Sequence, residues 1–135
     1  MAAISMNEFS TNAQNRIVDL DASESERGWA MWMHLSLLAY PITMGLVFIA
    51  PLVMWLTRKD DSPFIDDHGK ETVNFHISLF LYSMICTGLG FLTCGVAWAL
   101  IPAVYVLGIV GMILAAKAAN RGEYYRYPMT LRLIH

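Results

Sequence analysis

Between Arg27 and Arg58 the chain runs for 30 residues without an Asp, Glu, Lys or Arg, and between Glu71 and Lys117 it does so for another 45. A helix needs about 20 apolar residues to cross the hydrocarbon core of a bilayer, so the first run predicts one span and the second predicts two. The spans fall over residues 29–57, 72–92 and 97–119, with the turn between the last two at Thr93, Cys94 and Gly95. The expected fold is an all-α integral membrane bundle of three transmembrane helices over residues 29–120. A disordered polar tail (1–28) precedes it and a C-terminal tail (121–135) follows.

Span one would be about 43 Å long as an unbroken helix, more than the core requires. Pro41 and Pro51 offer places to absorb the excess, freeing the carbonyls of Leu37 and Val47. Ordinary membrane-helix prolines and a gating hinge both fit that pattern.

Between the runs, Ser62 followed by Pro63 reads as a helix start, with Asp66 and Asp67 near the positive end of the helix dipole. Phe64 and Ile65 can dip into the interface, and Gly69 offers a bend before Lys70 and Glu71. This predicts a short cytoplasmic interfacial helix feeding span two.

Composition supports the membrane class: 56% of residues are hydrophobic and 15% charged, too few polar groups to coat a soluble surface. No basic run suggests nucleic acid. The two cysteines, Cys86 and Cys94, would lie about 12 Å apart on one helix, which predicts free thiols. With three spans, Arg16 and Arg27 fall on one side, and Arg58, Lys59, Lys70, Lys117, Arg121, Arg126 and Arg132 on the other. The positive-inside rule then places the N-terminus outside and the C-terminus in the cytoplasm of a bacterial inner membrane. Trp29, Trp32 and Trp98 would mark the outer ends of the spans, and Trp55, Tyr124, Tyr125 and Tyr127 the inner ones.

Two helix faces carry candidate chemistry. At the start of span two, Glu71, Asn74, Ser78 and Tyr82 share a stripe and His76 lies beside it. Such groups avoid lipid, so they either bond to neighbouring helices or line the mouth of a polar pathway. On span three, Gly108, Gly111, Ala115 and Ala118 share a small-residue face suited to close helix packing, within the bundle or between copies. Depth argues against a shared metal, since His34 belongs near the outer end of span one and His76 near the inner end of span two. His68 and His76 would lie about 12 Å apart on one helix. A single histidine accepting a proton stays open. Asp60, Asp61, Asp66 and Asp67 form either a solvated face paired with Arg58, Lys59 and Lys70 or a cation site. No nucleophile, base and orienting group occur together, so no catalytic residue, cofactor or metal is assigned and an enzyme is not expected.

The segment Ser62-Pro63-Phe64-Ile65-Asp66-Asp67-His68-Gly69-Lys70-Glu71-Thr72-Val73-Asn74-Phe75 carries a resemblance. With His34 and the stretch Gly122-Glu123-Tyr124-Tyr125-Arg126-Tyr127-Pro128, it resembles a family of small bacterial membrane domains over residues 29–135. That family is grouped with the Tic-twenty-like subunit of the chloroplast inner-envelope protein-import channel. The resemblance implies a channel-like or translocon-associated role. The residues themselves predict a non-enzymatic structural or interaction subunit whose partners are the lipid bilayer and a second copy or other membrane proteins. The competing expectation is a small proton- or ion-coupled transporter working through the stripe from Glu71 to Tyr82.

Overall fold

The computed structural model describes residues 9–39 and 49–135. Phe9–Thr11 (β1) and Ile17–Asp19 (β2) pair antiparallel, with Ser10 opposite Val18. Asn12 holds the connection, its Oδ1 accepting from the backbone of Gln14 and Arg16, while Asn15 takes a positive φ of 56°. This part of the predicted disordered tail is therefore structured. The reason lies at the other end of the chain: Asp19 N–H donates to the Gly122 carbonyl and Tyr124 N–H to that of Ile17, so β2 gains a second neighbour.

Helix α1, Glu24–Leu35, starts where Ser23 and Glu26 form a reciprocal capping box, satisfying two backbone donors that the first turn leaves free. A 3-10 turn, Ser36–Ala39, follows it. Helix α2 spans Ile49–Arg58, with Pro51 in its first turn where the missing donor costs little. Helix α3, Pro63–Leu92, is capped by the Ser62 hydroxyl, with Pro63 at its first position. A second 3-10 turn, Val96–Leu100, leads into helix α4, Ile101–Asn120.

The first uncharged run is not one span. Trp29 Nε1 donates to the Met54 carbonyl at 3.1 Å, and the Arg58 guanidinium lies 4.9 Å above the Trp29 ring. In a continuous helix Trp29 and Met54 would be about 38 Å apart. The run instead folds back, and both its ends meet at one level. Thirty residues shared by two arms leave each arm about 22 Å, short of the ~30 Å needed to cross. Pro41, Val47 and the fold-back itself lie outside the described residues.

The separate interfacial helix is also corrected, because α3 continues unbroken from Pro63 to Leu92. Gly69 serves close approach and not bending: a Cβ there would meet Trp55 Cδ1 at 2.1 Å. Trp55 thus lies flat on α3, its indole N–H donating to Asp66 Oδ1 at 2.9 Å. Two described helical stretches, Pro63–Leu92 and Val96–Asn120, are long and apolar enough to cross a membrane.

Packing divides the molecule along α3. Its first half is buried, from Phe64 to Ser78, against Ala30 and Met33 of α1, Trp55 of α2 and Ala119 of α4. Its second half turns Phe80, Leu81, Met84, Ile85, Leu89, Phe91 and Leu92 outward, and α4 does the same with Tyr105, Val106, Ile109, Val110, Ile113 and Leu114. So wide an exposed apolar belt marks contact with lipid.

Because β2 pairs with the segment after α4, the N-terminal hairpin, the α2–α3 connection and the C-terminal segment share one end of the molecule. This overturns the assignment of N- and C-terminal segments to opposite sides. Trp29 and Trp55 likewise belong to the same end.

Candidate functional site: a histidine row beneath a C-terminal clamp

Glu71, Asn74, Ser78 and Tyr82 do fall on one face of α3, and the C-terminal segment covers that face. The Glu71 carboxylate accepts the Tyr127 backbone N–H at 2.8 Å and the Arg132 guanidinium at 3.1 and 3.3 Å. Asn74 Oδ1 accepts from the N–H groups of Leu133 and Ile134, and its Nδ2 donates to the Ile134 carbonyl at 2.8 Å. The Leu131 N–H donates to Ser78 Oγ at 2.8 Å, and the Tyr82 hydroxyl donates to the Met129 carbonyl. The segment therefore runs outward from Glu71 to Tyr82, turns at Pro128 and Met129, where Met129 has a φ of 59°, and returns to Asn74. Each stripe residue satisfies backbone groups of an irregular strand, which in a low-dielectric setting would otherwise stay unpaired.

Beneath the clamp lies a buried row of side chains. His34 Nδ1 is 2.9 Å from the Tyr127 hydroxyl, and its Nε2 is 2.8 Å from His68 Nδ1. The Thr72 hydroxyl closes the ring, 2.7 Å from His34 Nδ1 and donating to the His68 carbonyl. His34, His68 and Thr72 have no exposed surface, and Tyr127 almost none. Both ring nitrogens of His34 are engaged, and the direction of the bonds along the row is set by the histidine tautomers. The His68 ring packs against Phe64, edge-on at 4.4 Å between centroids, and against Tyr124, stacked at 6.0 Å. His76, set apart, donates from Nδ1 to the Thr72 carbonyl at 2.7 Å.

The sequence had placed His34 at the opposite membrane face from the start of α3. Folding back the first run brings it within hydrogen-bonding distance of His68. In the sequence Tyr127 reads as an aromatic of the inner interface and Thr72 as one residue of the segment Ser62 to Phe75; no local spacing joins either of them to the histidines.

Around the row, Asp67 takes a bidentate pair from Arg126, both contacts at 2.6 Å, and Asp66 pairs with Lys70 at 2.7 Å. Asp61 pairs with Arg58, so three of the four loop carboxylates have a basic partner within 4 Å. Burial pushes the Tyr124 phenol up, helped by its bond to Asp19, and burial does the same for Tyr127. Both hydroxyls stay protonated at neutral pH, and that of Tyr124 donates to Asp19 Oδ2 at 3.0 Å. Arg126 is held further into its charged form by Asp67. Among the described residues no three His, Cys, Asp or Glu side chains are placed to hold a metal together.

Gly108, Gly111, Ala115 and Ala118 are all buried on α4. A Cβ on Gly111 would meet Phe75 at 3.0 Å and Tyr127 at 3.2 Å, and the rings of Phe75 and Tyr127 stack at 3.7 Å. This face therefore receives a ring of α3 and a ring of the clamp. Cys86 is buried and Cys94 exposed, both free.

The arrangement joins α1, α3, α4 and the C-terminal segment through one polar row and one clamp. A cleft of about 420 Å³ opens outside it, between β1 and the Asp67–Arg126 pair.

The MamF/MmsF family model, described as the magnetosome magnetite crystal formation protein family, matches residues 25–134. No curated protein and no solved structure matches the chain. The match corrects the resemblance to the import-channel group. The segments that carried it, Ser62 to Phe75 and Gly122 to Pro128, lie inside residues 25–134, and the translocon association loses its support.

Proposed function

Because the chain belongs to the magnetosome magnetite crystal formation protein family, we propose that it is a non-enzymatic membrane protein of the magnetosome that influences crystal formation as a structural and interaction module. One observation carries this reading: charge and polar architecture gather at one end of the molecule, while the rest is a bare apolar belt. All nine Lys and Arg residues lie in segments of that end, or in the helix turns that enter it. The positive-inside rule then puts the charged head, with both the N-terminal hairpin and the C-terminal clamp, in the cytoplasm. The turn between α3 and α4 carries no Asp, Glu, Lys or Arg, so carboxylates there do not template the mineral. Influence on the crystal passes instead through the membrane, a second copy, or another membrane protein docked on the head.

A carrier using Glu71, Asn74 and His76 is disfavoured because the clamp occupies Glu71 and Asn74, and Ser78 and Tyr82 beyond them. The test is complementation of a deletion strain, reading crystal size by electron microscopy. His68→Asn, whose side-chain amide can donate or accept near the Nδ1 position, is expected to restore crystals of normal size if it inserts and folds. Failure by a folded variant to restore them would reopen a chemical role for the row.

A further inference from the structure

The turn between α3 and α4 has no polar side chain to present to water beyond Thr93 and Cys94, and the exposed Thr93 spends its hydroxyl on the hairpin's own backbone. Its hydroxyl donates to the Leu89 carbonyl and accepts from Ala97 N–H. The backbone donors of Thr93, Gly95, Val96 and Trp98 are also satisfied within the hairpin. Trp98, the residue type that usually anchors at a membrane–water interface, spends its indole N–H on the Thr87 carbonyl and lies in the space that Gly90 leaves open. Around this turn Phe91, Leu92 and Val96 project at 72, 82 and 75% exposure. A turn held in hydrocarbon needs internal partners for its backbone polar groups, and most of the donors here have them.

The clamp supplies the depth scale. Its irregular backbone reaches Tyr82 with Pro128, Met129, Leu131, Arg132 and Leu133 on the outside, and such a strand is not tolerated facing acyl chains. The hydrocarbon therefore begins near Tyr82. From there to Leu92, where α3 ends, is 10 residues of helix, about 15 Å, against a core of about 30 Å.

We propose that the α3–α4 hairpin is re-entrant: it enters and leaves by the charged face and ends within the bilayer, its partner being lipid acyl chains and not the far aqueous phase. This rests on the one-headed arrangement of the previous subsection and deepens it, for a protein inserted from one side adds more volume to the near leaflet than to the far one.

Cys94 is a native probe at the turn. In the Cys86→Ser protein in sealed vesicles of phosphatidylcholine and phosphatidylglycerol, a nitroxide on Cys94 is expected to collide readily with oxygen and hardly at all with a water-soluble nickel chelate. Chelate access at the level of an aqueous site would overturn the proposal by showing that the turn emerges. Low access to both reagents would overturn it in favour of a protein-covered turn between copies. If Cys86→Ser fails to fold, the wild type serves, with buried Cys86 left unmodified under native labelling. Terminal reporters both on one side, together with a chelate-accessible turn, would leave the one-headed reading intact while this inference fails.

Discussion

At Gly69 the absence of a side chain decides whether α2 can lie on α3. The Cβ of an alanine would fall 2.1 Å from Trp55 Cδ1 and 2.8 Å from Trp55 Cβ, too close to the root of that side chain for a rotamer change to relieve it. Trp55 is also fixed by its bond to Asp66. Gly69→Ala is therefore expected to cost about 1–3 kcal/mol, the usual range for overpacking, read as a lower midpoint of thermal unfolding in detergent. Adding Trp55→Leu should recover part of the loss, and a strictly additive double variant would show that the two residues do not share this contact. Sequence reading took Gly69 for a bend because a glycine within a helical pattern marks either a break or a close neighbour. Only the tertiary partner distinguishes them.

The clamp is an element without regular secondary structure, so its order depends on α3. Asn74 alone accounts for three of its backbone bonds, to Leu133 and Ile134. Replacing it with leucine leaves those groups without partners, at about 1–3 kcal/mol for each one that stays buried, and the cheaper outcome is release of the strand into water. In Asn74→Leu, amide exchange over residues 131–134 should accelerate by at least tenfold, while exchange in the buried half of α3 stays slow. Unchanged protection would mean that Glu71 and Ser78 hold the strand without Asn74. The stripe itself was legible in the sequence because its spacing is helical. Its occupant was not, since a tail of mixed polar and apolar residues carries no periodicity that says what it binds. The long apolar helices were legible for the opposite reason, being defined by what they lack.

At the scale of the whole molecule, the 30-residue run shows how length can mislead. Thirty uncharged residues suffice for one crossing, but they also suffice for a hairpin that does not cross, and the two alternatives place the head of the chain on opposite sides. The contact of Trp29 with Met54 decides for the hairpin, and the pairing of β2 with Glu123 closes the head around it. The ion pair of Arg16 with Glu123 at 3.0 Å and the bond of Tyr124 to Asp19 then join segments that the three-span reading kept a membrane apart. Those polar contacts cannot form across a bilayer, so the N- and C-terminal segments have to share a compartment. Fluorescent-protein fusions at either end should both fluoresce in the cytoplasm, and alkaline phosphatase fusions at either end should both be inactive. An active phosphatase at the N-terminus alone would restore the odd-numbered crossing and remove the head from the molecule.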